Sequence, residues 1–169
     1  ACMNTPGMAP CTGEVTVAET VFLRDPDRRV PFRLTNEATE ARLLTGSDFD
    51  PESIQIADGE IWIGDEFGPF LIRATTDGRI LDVYPTEVDG AVVRSPDAPG
   101  LRVPALPGQD FAVARSGGFE GMARQPGTGL LWAMLEKPLL TAEGTPEGAF
   151  LRVMAFDPAA GVWTGQGFK

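Results

Sequence analysis

The protein has 169 residues, a net charge of −10, 43% hydrophobic residues, two cysteines and no histidine. Such a chain is globular rather than disordered and long enough for one domain with a core, and its negative charge argues against nucleic acid or an anionic membrane as partner. Without histidine there is no Ser-His or Cys-His pairing and no ordinary zinc site, so a metal site must be built of oxygen, which favours calcium or magnesium.

Residues 1–30 form an N-terminal segment. Cys2 and Cys11 could close a small disulfide loop, which would imply an oxidising compartment; the alternative is two free thiols. A chain opening at Ala1 can also be the mature form of an exported protein. No apolar run approaches the length of a membrane span. Val15 to Leu23 alternates apolar and polar residues and predicts a strand. Asn36 to Leu44 is the best helix candidate, and it is short. With 20 glycines and 15 prolines, the remainder reads as short strands joined by turns. Ile54 to Ala57 and Glu60 to Ile63 flank Asp58-Gly59, a favoured two-residue hairpin turn. Phe70 to Ala74 and Arg79 to Tyr84 flank Thr76-Asp77-Gly78 and predict a second hairpin. A proline-rich connection, Asp97 to Gln109, follows these four strands.

Then the pattern recurs. The segment GFEGMARQPGTGLLWAMLEKPL repeats FDPESIQIADGEIWIGDEFGPF with a longer turn, so that Glu120 falls on Glu52, Trp132 on Trp62 and Glu136 on Glu66. After an inserted loop from Thr141 to Gly148, FLRVMAFDPAAGVWTG repeats FLIRATTDGRILDVYP. Four-stranded units at such spacing predict an all-β fold, a β-propeller of antiparallel blades, with blade units at about 46–90 and 111–165. The alternative is two unrelated meanders that share turn chemistry. Both tryptophans are expected in blade cores. Two blades cannot close a ring, so the expectation is part of a larger propeller. Its remaining blades would lie in the same or another chain, because a two-blade body leaves an apolar face and a sheet edge exposed.

Between Asp48 and Phe70 lie seven carboxylates, most of them at the ends of the first hairpin. The start of one hairpin strand and the end of the other lie side by side. Glu52 therefore meets Asp65 and Glu66, and the repeat brings Glu120 to Glu136 in the same way. In radially arranged blades all four glutamates converge. Close carboxylates repel by about 4 kcal/mol per pair at an effective dielectric of ~20. Raised pKa values, basic partners or a divalent cation could relieve this, and nearby basic residues are few: Arg73, Lys137 and Arg152. Cation binding is the favoured reading. Solvated acidic turns, or carboxylates acting as acid and base without metal, remain alternatives. Asp48 and Asp50 could extend the cluster, although Asp50-Pro51 is also ordinary turn chemistry.

The blocks SDFDPESIQIADGEIWIGDEFGPFL, SGGFEGMA, LLWAMLEKPL and LRVMAFD, with PFRLTNEATEARLLTG ahead of them, resemble the phytase-like family described by the esterase-like activity of phytase. The resemblance runs from Pro31 to Gly165, within a partial phytase-like propeller expected over 31–169. It implies a secreted or periplasmic β-propeller that hydrolyses phosphate or other esters with bound calcium. Glu52, Asp65, Glu66, Glu120 and Glu136 match the family's acidic positions and are the expected metal ligands. The first expectation is a metal-dependent hydrolase of small, anionic phosphate esters. In it Glu52 and Glu120 are the catalytic carboxylates, and Lys137 and Arg152 hold the substrate anion. The rivals are a lactone or carboxyl-ester hydrolase and a calcium-stabilised binding propeller without turnover.

Overall fold

The computed structural model describes residues 16–100 and 111–169; Cys2, Cys11 and the expected disulfide lie outside them. There is no helix among the described residues. Ten strands form among the described residues: β1 (Pro51–Ala57), β2 (Glu60–Asp65), β3 (Phe70–Thr75), β4 (Ile80–Pro85), β5 (Glu87–Val88), β6 (Ala91–Val92), β7 (Phe119–Arg124), β8 (Leu131–Leu135), β9 (Val153–Asp157) and β10 (Val162–Phe168). They make two four-stranded antiparallel meanders, β1-β2-β3-β4 and β7-β8-β9-β10, with the short hairpin β5-β6 between them in sequence.

The turns form where the chain has the chemistry for them. Asp58 and Gly59 both take positive φ, 54° and 82°, and this twist joins β1 to β2 without splaying them. Gly78, at φ 86°, closes the β3–β4 turn. The repeat is also present in the strand pairing. Pro51 pairs with Asp65 and Phe119 with Leu135, and in both hairpins the next residue of the first strand is bulged out. Those bulged residues are Glu52 and Glu120. Gln55 pairs with Trp62 as Ala123 pairs with Trp132.

Each sheet has two unlike faces, because successive side chains alternate. The Trp62 face of the first sheet packs on the second sheet: Ala57, Trp62 and Leu71 meet Leu131 and Phe156, with Tyr84, Met122 and Trp163 at the margins. Trp62 is 1% exposed. The Gln55 amide donates to the Met122 carbonyl at 3.0 Å, and Arg124 pairs with Asp58 at 3.0 Å, so polar contacts on β1 and β7 fix the register between sheets. The opposite face of the first sheet, with Ile63, Ile72, Ala74 and Ile80, is covered by Val30, Leu34 and Phe49.

Three expectations are corrected here. Residues 16–23 form no strand; only Arg24 bridges, to Leu43 and to Arg79, while Val17 and Phe22 are exposed. Alternation alone does not make a strand where no sheet edge accepts the whole segment. Asn36 to Leu44 is turns rather than helix. The Asn36 side chain donates to the Leu43 carbonyl at 2.8 Å and the Thr39 hydroxyl to the Asn36 carbonyl at 2.8 Å, local bonds that compete with a helix. Trp132 matches Trp62 in register but is only half-buried, because no further sheet covers its face among the described residues.

Candidate metal centre

Asp50 stands just before β1, Glu52 is its bulged residue, and Glu66 follows β2. One carboxylate oxygen from each of the three lies within 4.8 Å of the others. The bulge is what permits this: an extra residue in β1 re-aims the Glu52 side chain toward the strand end. The Glu66 amide donates to the Asp50 carbonyl at 2.9 Å, locking the two acidic residues together through the backbone.

The second sheet contributes a fourth carboxylate. Glu136 follows β8, and its amide donates to the Gly118 carbonyl at 2.8 Å, the counterpart of the Glu66–Asp50 bond. Its side chain meets that of Glu66. The sheets approach closely enough here for Gly118 to lie on the Glu66 backbone: a Cβ on Gly118 would overlap the Glu66 carbonyl and Cα. A residue with any side chain would push the two acidic ends apart.

The electrostatics follow from this crowding. Glu66 is pushed up to about 7, first by burial, then by the facing Glu136, then by the charges of Asp50 and Glu52. The Glu136 Oε2 atom is buried without a hydrogen-bond donor. Lys137 Nζ is 4.0 Å from that oxygen and donates instead to the Arg115 carbonyl at 2.8 Å. As two carboxylates, Glu66 and Glu136 present acceptors to each other with nothing between them. A shared proton or a cation resolves the conflict.

The other expected site residues are placed differently. Asp65 is fully buried, and its carboxylate accepts from the Asp50 amide at 2.8 Å and from the Gly68 amide at 2.8 Å. Burial pushes its pKa up to about 6 against these bonds. It fixes Asp50 and the turn after β2 and stands outside the group of converging oxygens. Glu120 is exposed at the β7 bulge and is likewise outside that group. Arg152 is held by Glu147 through two bonds of 2.6 and 2.5 Å, with Asp89 at 3.8 Å. It lines a separate cavity of about 240 Å³ with Glu87, Trp163 and Lys169. Asp48 is buried and accepts from the amides and hydroxyls of Thr35 and Thr45. Burial opposes its ionisation, but these four bonds hold its pKa below the usual range.

Sequence reasoning thus assigned Asp65 to the ligand set and left Asp50 at its margin. The signal that separates them is alternation: Asp65, last in β2, shares the inward face with Ile63 and Ile61, whereas Asp50 lies before the strand.

Among curated proteins and among solved structures, no match to this chain is found. A family model described as "Phytase-like: Esterase-like activity of phytase" matches residues 6–169. On that match the chain belongs to the phytase-like family.

Proposed function

We propose that the chain contributes two blades of a secreted or periplasmic β-propeller that hydrolyses small anionic phosphate esters at a calcium site. Family membership supports a phytase-like hydrolase in general. The observation that carries the metal is the convergence of Asp50, Glu52 and Glu66, with Glu136 against Glu66 and its Oε2 buried without a donor. Those four residues would hold the ion, a hard oxygen-ligand set of the kind calcium takes. Bound there, calcium supplies charge neutralisation for anionic ester oxygens and a lowered pKa for a coordinated water.

The remaining roles fall to this chain's own side chains. Glu120, exposed and outside the cluster, is the carboxylate free to take a proton from the attacking water. Glu52 would be a ligand and would stand beside the reacting group. Lys137, beside Glu136, would hold a substrate oxygen; Arg152 could do so only by leaving Glu147.

The test is calcium titration calorimetry paired with hydrolysis of a phosphate monoester and a lactone, with and without chelator. Micromolar binding with chelator-sensitive phosphatase activity supports the proposal; no binding tighter than millimolar overturns it. A lactonase would turn over only the lactone. One observation favours a purely structural ion: the cluster bridges the two sheets, so a cation there would tie them together. In that case calcium raises the melting temperature and neither substrate is hydrolysed.

A further inference from the structure

Two loops from different sheets meet at the acidic end: the turn from Glu66 to Pro69 after β2, and the run from Arg115 to Gly118 before β7. Gly118 seats on the Glu66 backbone, and its carbonyl accepts from the Glu136 amide at 2.8 Å. Whatever keeps these two loops together therefore keeps Glu136 against Glu66.

A short stretch between the two repeat units, residues 95–97, bonds to both loops. The amide of the fully buried Ser95 donates to the Gly68 carbonyl at 3.1 Å. The Ser95 hydroxyl accepts from the Asp97 amide at 3.1 Å, which fixes Asp97 to that anchor. One Asp97 carboxylate oxygen then accepts from the Ser116 amide at 3.0 Å, and the other pairs with the Arg115 guanidinium. The Arg115 side chain is 63% exposed, and such a pair contributes little by itself. The Ser116 amide bond is different. Ser116 has a φ of 47°, a left-handed conformation that serine seldom enters and that needs an outside hold. Thr86 braces the turn on its far side, donating to the Pro69 carbonyl through its amide at 3.3 Å and its hydroxyl at 2.9 Å. The contacts form a closed path: Glu66 to Gly68 along the chain, Gly68 to Ser95, Asp97 to Ser116, and Gly118 back to Glu66.

We propose that Asp97 is a positioning residue of the candidate metal centre: it clamps the Ser116–Gly118 backbone onto the turn after Glu66 and so sets how closely Glu136 approaches Asp50, Glu52 and Glu66. The proposal rests on reading those carboxylates as a cation site. Asp97 is no ligand itself. It acts through the backbone, as groups that hold ligands in place do.

The test uses the full chain with Asp97→Ala and with Asp97→Asn. The Asn variant removes the same charge but keeps an acceptor for the Ser116 amide. Asp27→Ala, which breaks an exposed pair with Arg79 of 2.6 Å, controls for loss of one carboxylate elsewhere. Calcium affinity by calorimetry should fall about tenfold or more in Asp97→Ala, and far less in Asp97→Asn and Asp27→Ala. In chelator, the amide NMR resonances of Glu66, Gly118 and Glu136 should move in Asp97→Ala and stay close to their wild-type positions in the other two. If Asp97→Ala lowers the melting temperature but leaves calcium affinity and these resonances unchanged, Asp97 is merely structural and the clamp is overturned. Equal losses of affinity in the Ala and Asn variants would assign the effect to charge and overturn it as well. If the wild type binds no calcium, the resonances in chelator still decide whether Asp97 holds the two loops, so the clamp and the calcium proposal fail separately.

Discussion

At the scale of single residues, the facing glutamates set the behaviour of the site. Glu66 is an acid whose folded pKa, about 7, lies above its ordinary value. The folded state holds its proton more tightly than the unfolded state does. Its contribution to stability is therefore fully present below the unfolded pKa and is lost as pH rises through about 7. In chelator, the melting temperature of the wild-type chain should fall across that window, and Glu66→Gln should flatten the fall. Asp65, raised to about 6, adds a lower-pH component that survives in the Gln variant. Adding calcium to the wild type above pH 7 should restore the lost stability, and Glu66→Gln should weaken that response. A melting profile that is flat in the wild type would contradict the crowding.

At the scale of elements, the hairpin ends are held by a buried carboxylate that stands outside the converging group. Asp65 bonds two backbone amides that place Asp50 and the turn before Phe70. Asp65→Ala leaves these donors unpaired in a buried place and should cost about 1–3 kcal/mol per group in urea unfolding. It should also weaken calcium binding by calorimetry, although Asp65 is outside the cluster. Gly118→Ala acts through the contact between sheets. Its Cβ would meet Glu66 main-chain atoms, which cannot swing aside as a flexible side chain could. The loss should be about 1–3 kcal/mol of overpacking, accompanied by loss of the coupling between Glu66 and Glu136. Loss of stability with an unchanged pH profile would show that the two glutamates do not depend on this seat.

At the scale of the whole molecule, a face-to-face contact joins the two meanders, beside the cores that each unit has of its own. Trp62→Ala empties the centre of that contact and should cost about 3–5 kcal/mol. Trp132→Ala removes a half-buried ring whose Nε1 donates to Gln125 at 2.9 Å, and should cost well under half as much. Comparing the two by chemical denaturation tests whether identical strand positions differ only in what covers them. Equal losses would show that the Trp132 face is already packed in the isolated chain.

Much of this was legible in the sequence because it is short-range. Asp58-Gly59 and Thr76-Asp77-Gly78 dictate turns through the φ values their own residues can adopt, and the alternation between them dictates two-faced strands. The repeat, and with it the placing of Glu52, Glu66, Glu120 and Glu136 at hairpin ends, follows from spacing alone. Only the tertiary structure decided which carboxylates converge, which of two matched tryptophans is buried, and that residues 16–23 and the segment from Asn36 to Leu44 take no regular form. Carboxylate direction depends on a bulge and on how closely a glycine lets another sheet approach. Burial depends on what lies against a face. Neither is a property of the residues that carry it: Glu136 meets Glu66 because Gly118, distant in sequence from Glu66, lets the second sheet approach.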